Sequence, residues 1–293
     1  MYRKILVPLD GSKLAEQILP LVRSVAETCQ ASVQLLRVFD AATFAAYSSP
    51  PLKGDEYLDE VAKRFFAPAT EVEKITSLGA PAAVAAVIVE RAGDDGNCLI
   101  AMATHGMSGL RRWLIGSVAS KVAQSAANPL LLIHPTEITE TATSFNAETV
   151  FLPLDGSALA ERALAHAAFF AQRMNAEIHL LRVFTVPSNA YVIADGVIAQ
   201  GPVPFRDALQ HEANAYLDAK AESLRADGIR RVTATALEGD AAKEIIDLAA
   251  RTPNSLITMS THGRSGIGRW LLGSVAERVI QHCRSPLLLI RAS

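Results

Sequence analysis

Residues 5–12 read Ile-Leu-Val-Pro-Leu-Asp-Gly-Ser, and residues 150–157 read Val-Phe-Leu-Pro-Leu-Asp-Gly-Ser. Outward from this pair, residues 3–39 match residues 148–184 without a gap, with 16 identities in 37 positions. Both blocks end on Leu-Leu-Arg-Val-Phe. Residues 101–134 match 258–291 with 20 identities in 34. Self-similarity on this scale means two copies of one folding unit. The offset grows from 145 to 157 between the blocks, so the second copy carries twelve extra residues in its middle. They fall mainly in residues 185–215, against 40–56 in the first copy. Both segments are rich in Pro, Gly, Ser and Ala and read as variable loops. Residues 135–147 (PTEITETATSFNA) are polar, Thr-rich and without an apolar period, which makes them a linker. Two domains follow, residues 1–140 and 145–293.

Each copy alternates between two periods. Residues 4–9 form a short apolar run, read as a strand. Leu14, Ile18, Leu21, Val22 and Val25 then recur on one helical face. Residues 32–38 read as a strand, 56–66 as a helix and 71–77 as a strand, with 230–236 as the counterpart of the last. Residues 82–91 are helical, 98–103 a fully apolar strand, 117–127 helical and 130–133 a final strand begun by Pro129. Strands that are apolar throughout, alternating with helices, predict an α/β fold in each domain: a five-stranded parallel sheet covered on both faces. Such sheets bind ligands at the carboxyl ends of their strands, near the point where strand order reverses. The repeated polar residues lie there.

Composition narrows the function classes. A chain of 293 residues, half of them hydrophobic and a fifth charged, has the balance of two ordinary globular cores. A net charge of -2 argues against a polyanion partner such as nucleic acid. No run approaches the roughly 18 to 20 apolar residues that span a bilayer, so no membrane association is expected. Residues 1–10 lack a signal-peptide core, and a cytoplasmic location is the expectation. Cys29, Cys98 and Cys283 form no CxxC and sit in apolar patterns, as small core residues of a reducing compartment do.

Two repeated groups carry chemistry. In Pro8-Leu9-Asp10-Gly11-Ser12, and in its copy with Pro153, Leu154 and Asp155, the aspartate stands where a strand turns into a helix. Its carboxylate there can accept a ribose hydroxyl or a base amino group; turn and N-cap chemistry explains the same residues equally well. The second group is Thr104-His105-Gly106, nine residues, then Gly116-Ser117-Val118, repeated as Thr261-His262-Gly263, nine residues, Gly273-Ser274-Val275. Glycine at such a turn permits backbone angles other residues resist and lets a phosphate come close. The Gly-Ser pair then offers amides and a hydroxyl at a helix N-terminus, where the dipole favours an anion. Neither GxxxxGK[ST] nor GxGxxG is present.

The chain at this point resembles a tandem universal stress protein, and the resemblance covers both halves nearly end to end. The ATP-binding members of that family carry G-x2-G-x9-G-[ST] after the fourth strand. Ala103 and Ser260 occupy the first glycine position, Gly106 and Gly263 the second, and Gly116-Ser117 and Gly273-Ser274 the last pair. A demand for positive φ at the first position would conflict with Ala103. The resemblance implies that Asp10 and Asp155 contact adenosine, that Val38 and Val183 line the adenine pocket and that Met102 and Met259 pack under the base. It implies ATP as ligand, with Mg2+ an open companion, and a regulatory role in stress adaptation. It further implies that residues 129–134 and 286–291 pair inside one chain as a pseudo-dimer, with a homodimer of whole chains left open.

Other residues weigh less. The seven histidines show no HxH or HxxxH spacing, so no metal site is expected. His105 and His262 could donate to a phosphate or shape the turn. Arg111, Arg112, Trp113, Arg269 and Trp270 fall inside the nine-residue segments, as phosphate neutralisers or as a solvated surface. No duplicated carboxylate stands beside the phosphate loop as a base, so a non-enzymatic ATP-binding protein is the expectation. A slow ATPase or phosphate-transfer enzyme, and an interaction module with degenerate pockets, stay open beside it.

Overall fold

The computed structural model describes residues 1–39, 56–80, 83–106, 115–135, 145–186, 192–194, 197–199, 203–261 and 272–291. The first copy builds β1 (Lys4–Pro8), α1 (Lys13–Glu16), α2 (Leu19–Cys29), β2 (Ser32–Phe39), α3 (Glu56–Phe65) and β3 (Val72–Leu78). It continues with α4 (Val84–Ala92), β4 (Cys98–Ala103), α5 (Ser117–Ser125) and β5 (Leu130–Ile133). The second builds β6 (Thr149–Pro153), α6 (Ala158–Glu161), α7 (Ala163–Met174) and β7 (Glu177–Phe184). An added hairpin, β8 (Val192–Ala194) with β9 (Val197–Ala199), follows, and then α8 (Val203–Ala226) and β10 (Val232–Glu238). The copy closes with α9 (Ala241–Arg251), β11 (Ser255–Ser260), α10 (Ser274–His282) and β12 (Leu287–Ile290).

The strands form one ten-stranded sheet, ordered β10-β7-β6-β11-β12-β5-β4-β1-β2-β3. Each half is parallel. The halves meet at an antiparallel seam in which Leu287, Leu288 and Leu289 pair with Leu132, Leu131 and Leu130. The intramolecular pairing expected of the two last strands is therefore present. Arg291, just past β12, donates from Nη1 to the carbonyl of Ala126 at 2.8 Å, behind the last turn of α5.

Alternation along the strands explains their unbroken hydrophobicity. Ile5 and Val7 join a core with α2, α3, α7 and α8, while Leu6 joins one with α4, α5, α9 and α10. Both cores run through both halves. On the first face, Tyr2 is buried against the second domain: its hydroxyl bonds His166 Nδ1 at 2.6 Å, and its ring meets Phe169 edge-on. The linker's end is tied down as well, since the Phe145 amide donates to Ser24 Oγ and Ala147 is fully buried.

Two expectations need correction. The helix after β1 is broken: Gln17 and Ile18 turn the chain through i→i−3 bonds to Leu14 and Ala15 before α2 begins. The break recurs at Arg162, where Ala165 replaces Pro20, so proline is not its cause. Residues 185–215, expected as a loop, contain the β8–β9 hairpin and the first half of the 24-residue helix α8. Val and Ile fill those strands, and Pro204 sits in the first helical turn, where its missing N–H costs nothing. Cys98 and Cys283 are buried, Cys29 half-buried, and all three are free thiols. Among the described residues no helix is long and apolar enough to cross a membrane.

Candidate functional site

Both Asp-Gly-Ser turns are built alike. Gly11 adopts φ 91° and Gly156 φ 86°, left-handed values that disfavour any Cβ. That fold brings the Ser12 amide to Asp10 Oδ1 at 2.9 Å and the Ser12 hydroxyl to the same oxygen at 2.6 Å. Ser12 Oγ then accepts from the Ala15 amide at 3.1 Å, capping α1. Ser157, Asp155 and Ala160 repeat the distances: 2.9, 2.6 and 3.1 Å. One carboxylate oxygen thus does the turn chemistry. The other, Asp10 Oδ2, faces the main chain at Gly106, where a Cβ would overlap it.

At the end of β4 the chain turns through Thr104, His105 and Gly106, and returns at Gly116 to open α5. The Gly116 amide donates to the Thr104 carbonyl at 2.8 Å, and Gly273 to Thr261 at 2.9 Å. Gly116 has φ −56° and ψ 146°, and Gly273 φ −62° and ψ 145°, a backbone open to any residue. These glycines supply room, because a Cβ on Gly116 would lie 2.8 Å from Thr104 O. The turn glycine of which unusual angles are expected, Gly106, has no positive φ and also supplies room, against Asp10 Oδ2. With the Gly116 amide engaged, the amides of Ser117, Val118 and Ala119 are the ones that precede the first i→i−4 bonds of α5. They carry the positive end of the helix dipole.

These pieces enclose a cavity of about 120 Å³ in the first domain and one of about 220 Å³ in the second. In each domain the first strand stands between its successor and a distant strand, β1 between β2 and β4 and β6 between β7 and β11, at the reversal of strand order. Among the described residues fifteen line the second cavity, and every one has a counterpart, offset by 145 or 157, lining the first. Thirteen of the fifteen pairs are identical, and two differ: Val84 against Ala241, and Ala103 against Ser260. The sequence-predicted Pro8, Leu9, Asp10, Val38, Met102, Ala103, His105, Gly106, Gly116, Ser117 and Val118 all line the first cavity. Pro153, Leu154, Asp155, Val183, Met259, Ser260, Gly273, Ser274 and Val275 line the second. His262 and Gly263 lie outside the described residues, as do Arg111, Arg112, Trp113, Arg269 and Trp270.

A model of the universal stress protein family matches residues 1–134 and again 146–291. The chain belongs to the universal stress protein family. It is 31% identical over 142 residues to a universal stress protein of Methanocaldococcus jannaschii, covering 48% of this chain and 81% of that one. It is 30% identical over 144 residues to one of Thermus aquaticus, covering 49% and 98%. A crystal structure of a universal stress protein from Archaeoglobus fulgidus superposes with a TM-score of 0.68 at 21% identity, over 99% of this chain and 98% of that one. That likeness is one of fold.

The residues at the expected first glycine position carry no backbone strain. Ala103 and Ser260 close their strands in extended conformation, paired with Ile133 and Ile290, and neither has positive φ. His105 is buried. Its Nδ1 shares a hydrogen bond with Thr104 Oγ1 at 3.0 Å, and that hydroxyl also reaches His134 Nδ1 at 3.2 Å. The rings of His105 and His134 meet edge-on at 5.2 Å. Burial, together with His105, Arg284 and His282, lowers the His134 pKa. One His105 nitrogen is thereby committed to shaping the loop.

Several lining residues escape a motif search: Ala15, Leu36, Val84, Ile88 and Ala119. Leu36 was within reach, since it shares a strand face with Val38. Behind the Asp turn lies a further duplicated feature. Arg37 stacks over Phe39 and Tyr57, and a Cβ on Gly11 would approach its Nη2 to 3.2 Å. Its counterpart Arg182 is buried over Tyr216 and donates to Glu212 at 2.9 Å, while the Tyr216 hydroxyl donates to Glu161 at 2.8 Å. An arginine repeated inside an otherwise apolar strand was the sequence signal for this support.

Proposed function

We propose that each domain binds one ATP and that the chain serves as a nucleotide-responsive regulator in stress adaptation, in the cytoplasm. The observation that carries this reading is the duplication: one set of fifteen positions surrounds both cavities, thirteen with unchanged side chains. A pocket without a ligand has no reason to repeat at that level. Adenine lies on the apolar side, against Leu36, Val38 and Met102, with Leu181, Val183 and Met259 as counterparts. The ribose hydroxyls meet the Asp10 or Asp155 carboxylate, and the phosphates the first-turn amides and Ser117 or Ser274 hydroxyl. Among the described residues no group of three or more His, Cys, Asp or Glu converges as a metal cage. Mg2+ is an open companion of the ATP in this reading, carried on its phosphates.

Binding without turnover is the favoured outcome. The carboxylate among the described lining residues has one oxygen held by Ser12 or Ser157, which suits it to positioning rather than to proton abstraction. The test is calorimetry with ATP and NAD, together with chromatography of nucleotide released from purified protein. Two ATP per chain, bound more tightly than NAD and recovered unhydrolysed after a single-turnover incubation, is the expected result. Tighter NAD overturns the ligand assignment, and stoichiometric ADP makes the protein an enzyme. Absence of ATP binding makes the cavities vestiges in an interaction module.

A further inference from the structure

The two differences between otherwise matching cavities sit at different ends of the site. Ala103 and Ser260 end the strands whose following residues start the phosphate loop. Val84 and Ala241 open the helices α4 and α9. Val84 is packed, with Val38, against the apolar cluster that contains Leu36, Ile88 and Met102. The second domain keeps Leu181, Ile245 and Met259 in that cluster but presents only the methyl of Ala241 at the same point. The smaller side chain goes with the larger space, about 220 Å³ against 120 Å³.

The helix bearing Ala241 is also better fixed. Asp240 caps α9 by accepting the Lys243 amide at 2.9 Å, and its other oxygen pairs with Arg278 of α10 at 2.7 Å. The first domain has Ala83 at the capping position, with no side-chain bond, and Lys121 where Arg278 stands. Helices α9 and α10 both line the second cavity, and the Asp240–Arg278 pair ties them together.

We propose that Val84 and Ala241 set different base specificities: the first domain is restricted to unsubstituted adenine, and the second accepts adenine nucleotides enlarged on the base. The inference rests on the reading that these cavities hold ATP, with the base on their apolar side. An apolar pocket discriminates by shape at about tenfold or more for a group it cannot admit. Two methyl groups removed from one wall supply room of that order.

The experiment titrates the full chain by calorimetry with ATP, N6-benzyl-ATP and 2-methylthio-ATP, taking the ratio of analogue to ATP dissociation constants at each site. Gly273→Val and Gly116→Val variants assign the sites by removing one at a time. For at least one analogue the ratio in the first domain is expected to exceed that in the second by about tenfold. Val84→Ala should close the gap and Ala241→Val should impose the same penalty on the second domain. Equal ratios in both domains for both analogues, or ratios that the two exchanges leave unmoved, overturn the inference while ATP binding stands. No ATP binding at either domain overturns the parent reading and this one together.

Discussion

The Gly116 amide donates to the Thr104 carbonyl oxygen at 2.8 Å, and a Cβ on Gly116 would stand at the same 2.8 Å from that oxygen. Helix α5 therefore begins in contact with the end of β4, and glycine is what allows the contact. A larger residue must push the two apart before any ligand is considered.

Gly116→Val is consequently expected to act twice. It should lower stability by about 1–3 kcal/mol, the usual range for overpacking a tight contact. It should also reduce ATP stoichiometry from two to one, because the displaced helix start carries the phosphate amides. Thermal unfolding and calorimetry on one preparation measure both. A variant with unchanged melting temperature, or with both sites intact, contradicts the contact or the cradle respectively.

Asp10 and Asp155 each hold a turn with one oxygen, so their replacement separates two roles. Asp10→Ala should cost about 1 kcal/mol through the lost Asx turn and abolish the first site. Asp10→Asn should keep much of the turn and still weaken ATP, having lost the charge. The two Ala variants also rank the sites. The second, with the Ser260 hydroxyl where the first has Ala103, is expected to be tighter by no more than about tenfold. If Asp155→Ala retains the tighter site, the ranking is reversed. If no substitution changes binding, both aspartates are turn residues alone.

His166 should give the interdomain contact an acid limb. Burial holds its pKa down to about 4, and its Nδ1 lies in a 2.6 Å hydrogen bond with the Tyr2 hydroxyl. A base with a depressed folded pKa leaves stability unaffected above its unfolded value near 6.5 and costs stability progressively as pH falls toward about 4. Denaturant unfolding between pH 7 and pH 4 should show this decline in the native chain and a shallower one in His166→Leu. Parallel declines would assign the acid sensitivity elsewhere.

Leu288 is fully buried and pairs with Leu131 across the seam. Leu288→Lys places an ammonium among leucines at the centre of the sheet. A loss of more than about 3 kcal/mol is expected, with both halves unfolding at lower denaturant. If only the second half were weakened, the two cores would not be continuous.

The sequence made the repeat and the parallel sheets legible because each rests on periodicity or identity, which survive without coordinates; the pairing at the seam followed only from the family resemblance. Thirteen matched lining pairs follow from the same repeat. What escaped was anything decided by three-dimensional closeness. The role of Gly106 was misread as conformational, since a missing Cβ looks the same whether it relieves a dihedral or a contact. The start of α8 was hidden among Pro, Gly and Ala. Val84 and Ala241 were aligned by the offset of 157 and could have been compared, but no motif pointed at them; only the cavity wall does.

Because the seam is antiparallel, the carboxyl ends of β1 and β6 point in opposite directions, and the two mouths open at opposite rims of the molecule. A flat partner can cover one rim at a time. The protein is thus two-headed, with one cavity at each rim. Any conversation between the heads has to run through the leucines of the seam and the cores that cross it.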